Sequence, residues 1–114
     1  MRTCLVLVAC LLANVCFAKE KNGAFTNLSM GTKSCGAVVS DRDAPGEAKM
    51  HNSVWVAGYL TAYNEYVVGR KNIAAGTDPA AWDLWIHNYC TANPLENLAA
   101  AASALVAELL KRKQ

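Results

Sequence analysis

Five cysteines stand in this chain of 114 residues, and their placement limits the fold more than any other feature. Cys4, Cys10 and Cys16 crowd into the opening segment, whereas Cys35 and Cys90 stand far apart in the remainder. The opening segment is laid out like a secretory signal. Met1-Arg2 gives one positive charge, residues 5–13 are apolar, and Cys16-Phe17-Ala18 offers small residues at the −3 and −1 positions of a cleavage site before the polar Lys19-Glu20-Lys21. A membrane anchor fits less well, because the apolar run is shorter than the ~20 residues a spanning helix needs. Leu7-Val8-Ala9-Cys10 matches a lipobox locally but leaves too short an apolar stretch before its cysteine. The expectation is therefore a signal peptide over residues 1–18, cleavage near Ala18, a periplasmic or secreted product and no stable membrane insertion.

Removing that segment leaves two cysteines. An even count in an exported domain points to a disulfide, and two cysteines allow one pairing, Cys35 with Cys90. A ring of that size is worth about 4 kcal/mol in the loop-entropy account. Two free buried thiols are the alternative. A zinc site is weaker, since isolated cysteines lack the paired spacing of structural zinc ligands. The 96 residues left after 18 are removed from 114 suffice for one domain with a modest core. Ten Lys/Arg stand against nine Asp/Glu in that stretch, and three of the positives are Lys111, Arg112 and Lys113. Without them the body is slightly acidic and has no basic stripe, so nucleic acid is not implied.

Residues 19–32 are rich in Lys, Asn, Gly, Thr and Ser and suggest a flexible, extended arm. Cys35-Gly36-Ala37-Val38-Val39 is too short for periodicity to separate strand from helical turn; a helical turn anchored by the disulfide is preferred. Asp41-Arg42-Asp43-Ala44-Pro45-Gly46 looks like a polar connection. From about 46 to 68, Trp55, Tyr59, Ala62, Tyr63 and Tyr66 recur at helical spacing on one face. Gly58 on that helix suggests close approach of another backbone. Gly69 ends it, and residues 70–77 form a loop. Asp78-Pro79 opens the next helix as N-cap and first residue. Its apolar face carries Trp82, Trp85, Ile86 and Tyr89, and Asn93-Pro94 stops it. The same device, Asn93-Pro94-Leu95-Glu96, is expected to start a last helix with a stripe of Leu95, Leu98, Ala102, Leu105, Val106 and Leu109. The alanine run at 99–102 is explained by helix propensity alone. The expected fold is all-α: a single small helical bundle over residues 33–114, with three main helices and a short N-terminal helical piece, closed by one disulfide.

Candidate chemistry is sparse. His87 stands four residues after Asp83, so Asp83 could orient it as an acid–base pair. No activated nucleophile accompanies them, and an oxidised Cys90 offers no thiolate. Asp41, Asp43 and Glu47 suit a helix N-terminus and lack the alternation of a calcium loop. No phosphate-binding loop or nucleophile elbow is present. The expectation is no catalysis, no metal and no cofactor. Seven Trp and Tyr rings on two helices form a core in the main, with a surplus for a partner or oligomer interface. Tyr63, Tyr66 and Trp82 are the candidate partner-binding residues.

One stretch goes beyond periodicity. Tyr89-Cys90-Thr91-Ala92-Asn93-Pro94-Leu95-Glu96-Asn97-Leu98 resembles the second-cysteine region of the HdeA/HdeB family of small periplasmic acid-stress chaperones, and Lys33-Ser34-Cys35-Gly36 resembles the first-cysteine site. The resemblance covers roughly residues 33–110 and implies a helical fold and a protein that loosens in acid to hold unfolding clients. The helix Trp55-Val56-Ala57-Gly58-Tyr59-Leu60-Thr61-Ala62-Tyr63-Asn64 is similar instead to the Tai/Rap-type immunity proteins, which neutralise toxins delivered by type VI secretion. That second similarity implies a folded inhibitor with a protein target. A homodimer is compatible with either.

Overall fold

A computed structural model of the chain describes residues 26–69 and 71–112. The proposed signal peptide, residues 19–25 of the arm and Lys113 lie outside the described residues. The described part is all-α. A 3-10 turn at Ser29–Thr32 precedes α1 (Cys35–Asp43), α2 (Ala48–Tyr66), α3 (Pro79–Ala92) and α4 (Leu98–Lys111).

The sequence sets three of the four helix starts through side-chain caps. Ser34 Oγ accepts from Ala37 N at the head of α1, Asp78 Oδ1 from Ala81 N at α3, and Asn97 Oδ1 from Ala100 N at α4. Each satisfies an N–H that the first turn leaves without a helical partner. Pro79 occupies the first turn of α3, where its missing N–H costs nothing.

α4 is the hub, contacting the 3-10 turn and all three other helices. Its buried face includes Leu98, Ala101, Ala102, Leu105, Val106 and Leu109. The alanines are therefore packing residues as well as helix formers: their small side chains permit neighbouring helices to come close. Val38 of α1, Val56 and Leu60 of α2 and Ile86 of α3 complete the core.

Cys35 and Cys90 form a disulfide with Cα atoms 4.6 Å apart, joining the first residue of α1 to the last turn of α3. Both are fully buried. The segment between α3 and α4 reinforces the link. Cys35 N donates to Glu96 O, Gly36 N to Pro94 O, and Leu98 N to Lys33 O.

Those bonds explain where the expected boundaries shift. Asn93 is the C-cap of α3, and α4 begins at Leu98 behind Asn97. The carbonyls of Pro94 and Glu96 turn toward the open N–H groups of α1 instead of continuing a helix. Leu95, expected in the buried stripe, is 99% exposed on this connection. α1 runs on through Asp43, so the polar connection before α2 is shorter than expected. Where the sequence suggests an extended arm, residues 29–32 form a 3-10 turn held against α2. Trp55 Nε1 donates to Leu28 O, and Gly31 lies buried where a Cβ would collide with the Trp55 ring. Gly58, by contrast, faces open space and marks no close approach.

Candidate functional site

The aromatic rings predicted to share one face of α2 flank its deepest stripe without forming it. That stripe is Asn52, Val56 and Leu60, at i, i+4 and i+8. Trp55, Tyr59 and Tyr63 are partly buried beside it. Trp55 and Tyr59 have ring centroids 5.5 Å apart, and the Tyr59 hydroxyl pairs with Ser103 Oγ at 2.7 Å, tying α2 to α4. On α3, Trp85 stacks on Tyr89 at 5.6 Å.

The three residues singled out as partner-binding differ in exposure. Trp82 packs against the core, and its indole N–H donates to Thr77 Oγ1 at 2.7 Å. Tyr63 is also partly buried against the core. Tyr66 is 80% exposed, and the following Val67 is exposed too. Only Tyr66 stands as a free ring at the end of α2.

The loop from 67 to 77 explains why. Ile73 and Ala74 are buried, so the loop turns inward. Ile73 N donates to Asn64 Oδ1 at 3.0 Å, Ala74 N to Asn72 Oδ1 at 2.9 Å, and Thr77 Oγ1 to Ala74 O at 2.6 Å. The Trp82 indole joins that network through Thr77 Oγ1. A single Ile among Lys, Asn, Ala and Gly was the available sequence signal, too short to show periodicity.

A second region gathers the polar side chains. Lys33 forms an ion pair with Asp41 Oδ2, which also accepts from Asn52 Nδ2 at 2.8 Å. Three segments meet in this node: the residues leading into α1, α1 itself and α2. Lys33, hydrogen-bonded to the carboxylate, is the chief cause of an Asp41 pKa below the usual carboxylate range; burial pushes the other way, and Asn52 and the lysine charge add to the lowering. Asn52 is 7% exposed, and its Oδ1 has no partner.

Next to this node, α1, α2 and α3 enclose a cleft of about 200 Å³. Val38, Val56, Ile86 and Leu98 supply apolar lining, and Arg42, Lys49, Asn52, Ser53, Asp83 and His87 supply polar groups. The structure thus brings Asp83 and His87 to one cleft but does not pair them. Ser53 Oγ lies 2.7 and 2.8 Å from the two Asp83 carboxylate oxygens and shares its one proton with that carboxylate, and His87 Nδ1 is buried without a hydrogen-bond partner. Asp83 serves to join α2 to α3. The earlier acidic cluster is likewise divided: Asp41 is held by Lys33 and Asn52, and Glu47 lies 3.7 Å from His51. Among the described residues no three His, Cys, Asp or Glu side chains could hold a metal, and no described helix is long and apolar enough to cross a membrane.

Compared with protein-family models, curated proteins and solved structures, the chain matches none.

Proposed function

We propose that this is an exported, non-catalytic protein that loosens in acid and holds unfolding clients, as the HdeA/HdeB-type chaperones it resembles do. The observation that carries this reading is the Lys33–Asp41–Asn52 node beside a covalent clasp. Asp41 binds its proton less tightly in the fold than in the unfolded chain. The node therefore contributes stability fully above about pH 4, the ordinary carboxylate range, and loses it as pH falls through the lowered folded value. Over the same interval nine carboxylates are neutralised while ten Lys/Arg and two His stay positive, leaving about +12 on the chain from residue 19. A small domain has about 5–10 kcal/mol of stability to set against such repulsion. The disulfide does not titrate in this range, so α1 and α3 stay joined while α2 loses its polar link to α1. Apolar surface from Val56, Leu60 and the ring row would then reach clients, and the tether would favour refolding on neutralisation.

The test is near-UV circular dichroism and apolar-dye fluorescence between pH 7 and pH 2, alongside aggregation of an unrelated client. Loss of tertiary signal with dye uptake and client protection is the expected result. A domain that stays rigid and protects nothing rejects the reading.

One observation favours a second reading, an immunity or inhibitor protein. Tyr66 and Val67 form an exposed apolar edge in the folded state, with no need of acid. An inhibitor would use that edge near neutrality, binding one target tightly while protecting no general client. A homodimer through the same edge would show as concentration-dependent sedimentation that Tyr66→Ala abolishes.

A further inference from the structure

The cleft among α1, α2 and α3 has properties that neither reading uses. Arg42 and Lys49 line it from two different helices. Neither forms an ion pair with a described residue. The carboxylate lining the cleft, Asp83, accepts from the Ser53 hydroxyl and keeps its charge, so two cations stand against one anion. The cleft is therefore net positive even with His87 neutral. Beneath these charges lie Val38, Val56, Ile86 and Leu98, an apolar floor.

The wall carries spare hydrogen-bonding capacity. Asn52 is more than nine-tenths buried; its Nδ2 is committed to Asp41, and its Oδ1 has no partner. Buried acceptors of that kind are uncommon in native proteins and ask for an explanation.

Two cations, an apolar floor and a volume of about 200 Å³ restrict what fits. The space suits one medium-sized residue. We infer that this cleft binds the carboxylate end of an apolar N-acyl amino acid, either free or as the last residue of a polypeptide. The carboxylate pairs with Arg42 and Lys49, the side chain covers the floor, and the acylated nitrogen, being uncharged, brings no third cation beside them. Charge-assisted bonds to a carboxylate are among the stronger polar contacts available, and the partly enclosed apolar floor excludes competing water.

The experiment uses the oxidised protein, labelled with ¹⁵N, at neutral pH. N-acetyl-leucine is titrated in, followed by N-acetyl-leucinamide, which keeps the side chain and N–H but lacks the charge. The acid should shift the amides of Val38, Arg42, Asn52 and His87 saturably, and the amide should bind about tenfold more weakly or worse, the equivalent of losing one charged contact. The Arg42→Gln/Lys49→Gln double variant should lose at least about tenfold in affinity for the acid while its circular dichroism is unchanged. A short peptide ending in leucine with a free carboxylate distinguishes the sources. Binding at least as tight as the acid's identifies polypeptide ends; binding by the acid alone identifies a free molecule; both uphold the site. Equal binding of acid and amide overturns the inference, as do shifts confined to other regions. The acid–amide comparison needs no variant, so a misfolded double variant would leave the test intact.

Discussion

The two ends of the bundle are held by different kinds of bond. At the cysteine end, a disulfide and three backbone hydrogen bonds lock α1 and the residues leading into it to the end of α3, the connection after it and the start of α4. At the far end, the 67–77 loop is held by one buried isoleucine and by the side chains of Asn64, Asn72 and Thr77. The first set uses atoms the chain carries at every residue plus one covalent bond. The second needs particular side chains in particular rotamers, each of which loses conformational entropy on ordering. The cysteine end should therefore open only with global unfolding, and the loop end should open locally at lower free energy. Amide hydrogen exchange measures this contrast directly: protection at Cys35, Gly36 and Leu98 should exceed that at Ile73 and Ala74.

The largest effect breaks the strong end. Cys35→Ala/Cys90→Ala should cost about 2–5 kcal/mol, as removal of a native disulfide from a small domain does. Denaturant unfolding checks it. A loss below about 1 kcal/mol would mean that the backbone bonds hold α1 without the covalent link.

The next breaks the weak end. Ile73→Ala leaves a cavity under the loop and should cost about 2–4 kcal/mol. Because the Trp82 indole bonds to Thr77 of the same loop, Trp82 fluorescence should change too. An unaltered Trp82 environment would show that the loop holds its shape without its plug.

Asp41→Asn sharpens the comparison along the pH axis. The variant keeps the shape of the Asp41 side chain but not its negative charge, so the Lys33 ion pair goes. Stability should drop at pH 7, and its decline between about pH 4 and pH 2 should become shallower, since the lowered folded pKa no longer contributes. Parallel pH profiles for the two proteins would remove the node from the acid response. Asp78→Ala is smaller again, about 1 kcal/mol for a lost N-cap, and it tests the junction between the loop and α3.

The same division accounts for what was legible in the sequence. The cysteine pair, the Asp78-Pro79 start and most of the α4 stripe are local or compositional signals, and the bundle is built on them. The exact start of α4 was not legible. Asn93-Pro94 and Asn97 both qualify as starting signals, and the choice is made by α1, whose open N–H groups take the Pro94 and Glu96 carbonyls. Gly58 and Gly31 show the same limit. Both are glycines near Trp55 or Tyr59, yet Gly31 meets an indole and Gly58 meets nothing, a difference fixed by which segment folds back. Aromatic periodicity on α2 located the ring row but not its depth, because Val56 and Leu60 lie deeper than the rings. The polar groups of the cleft come from three helices, so no single stretch of sequence announces it.

Tyr66→Ala should have the smallest effect on stability and is the sharpest test of what the loose end is for. The ring is 80% exposed at the last residue of α2 and has no hydrogen bond or ring contact among the described residues. A substitution there should change stability by less than about 0.5 kcal/mol. Tyr63, one turn earlier and packed on the core, is the internal control: Tyr63→Ala removes buried area and should destabilise measurably. If the exposed edge binds a partner near neutrality, Tyr66→Ala weakens that binding while the unfolding midpoint stays put, and Tyr63→Ala lowers the midpoint first. If the working surface appears only in acid, Tyr66→Ala leaves client protection at pH 2 nearly intact, because one ring is a small part of the apolar surface a loosened bundle exposes. Measuring both variants for unfolding, for target binding near neutrality and for client protection in acid therefore separates a surface that is always present from one that acid must open.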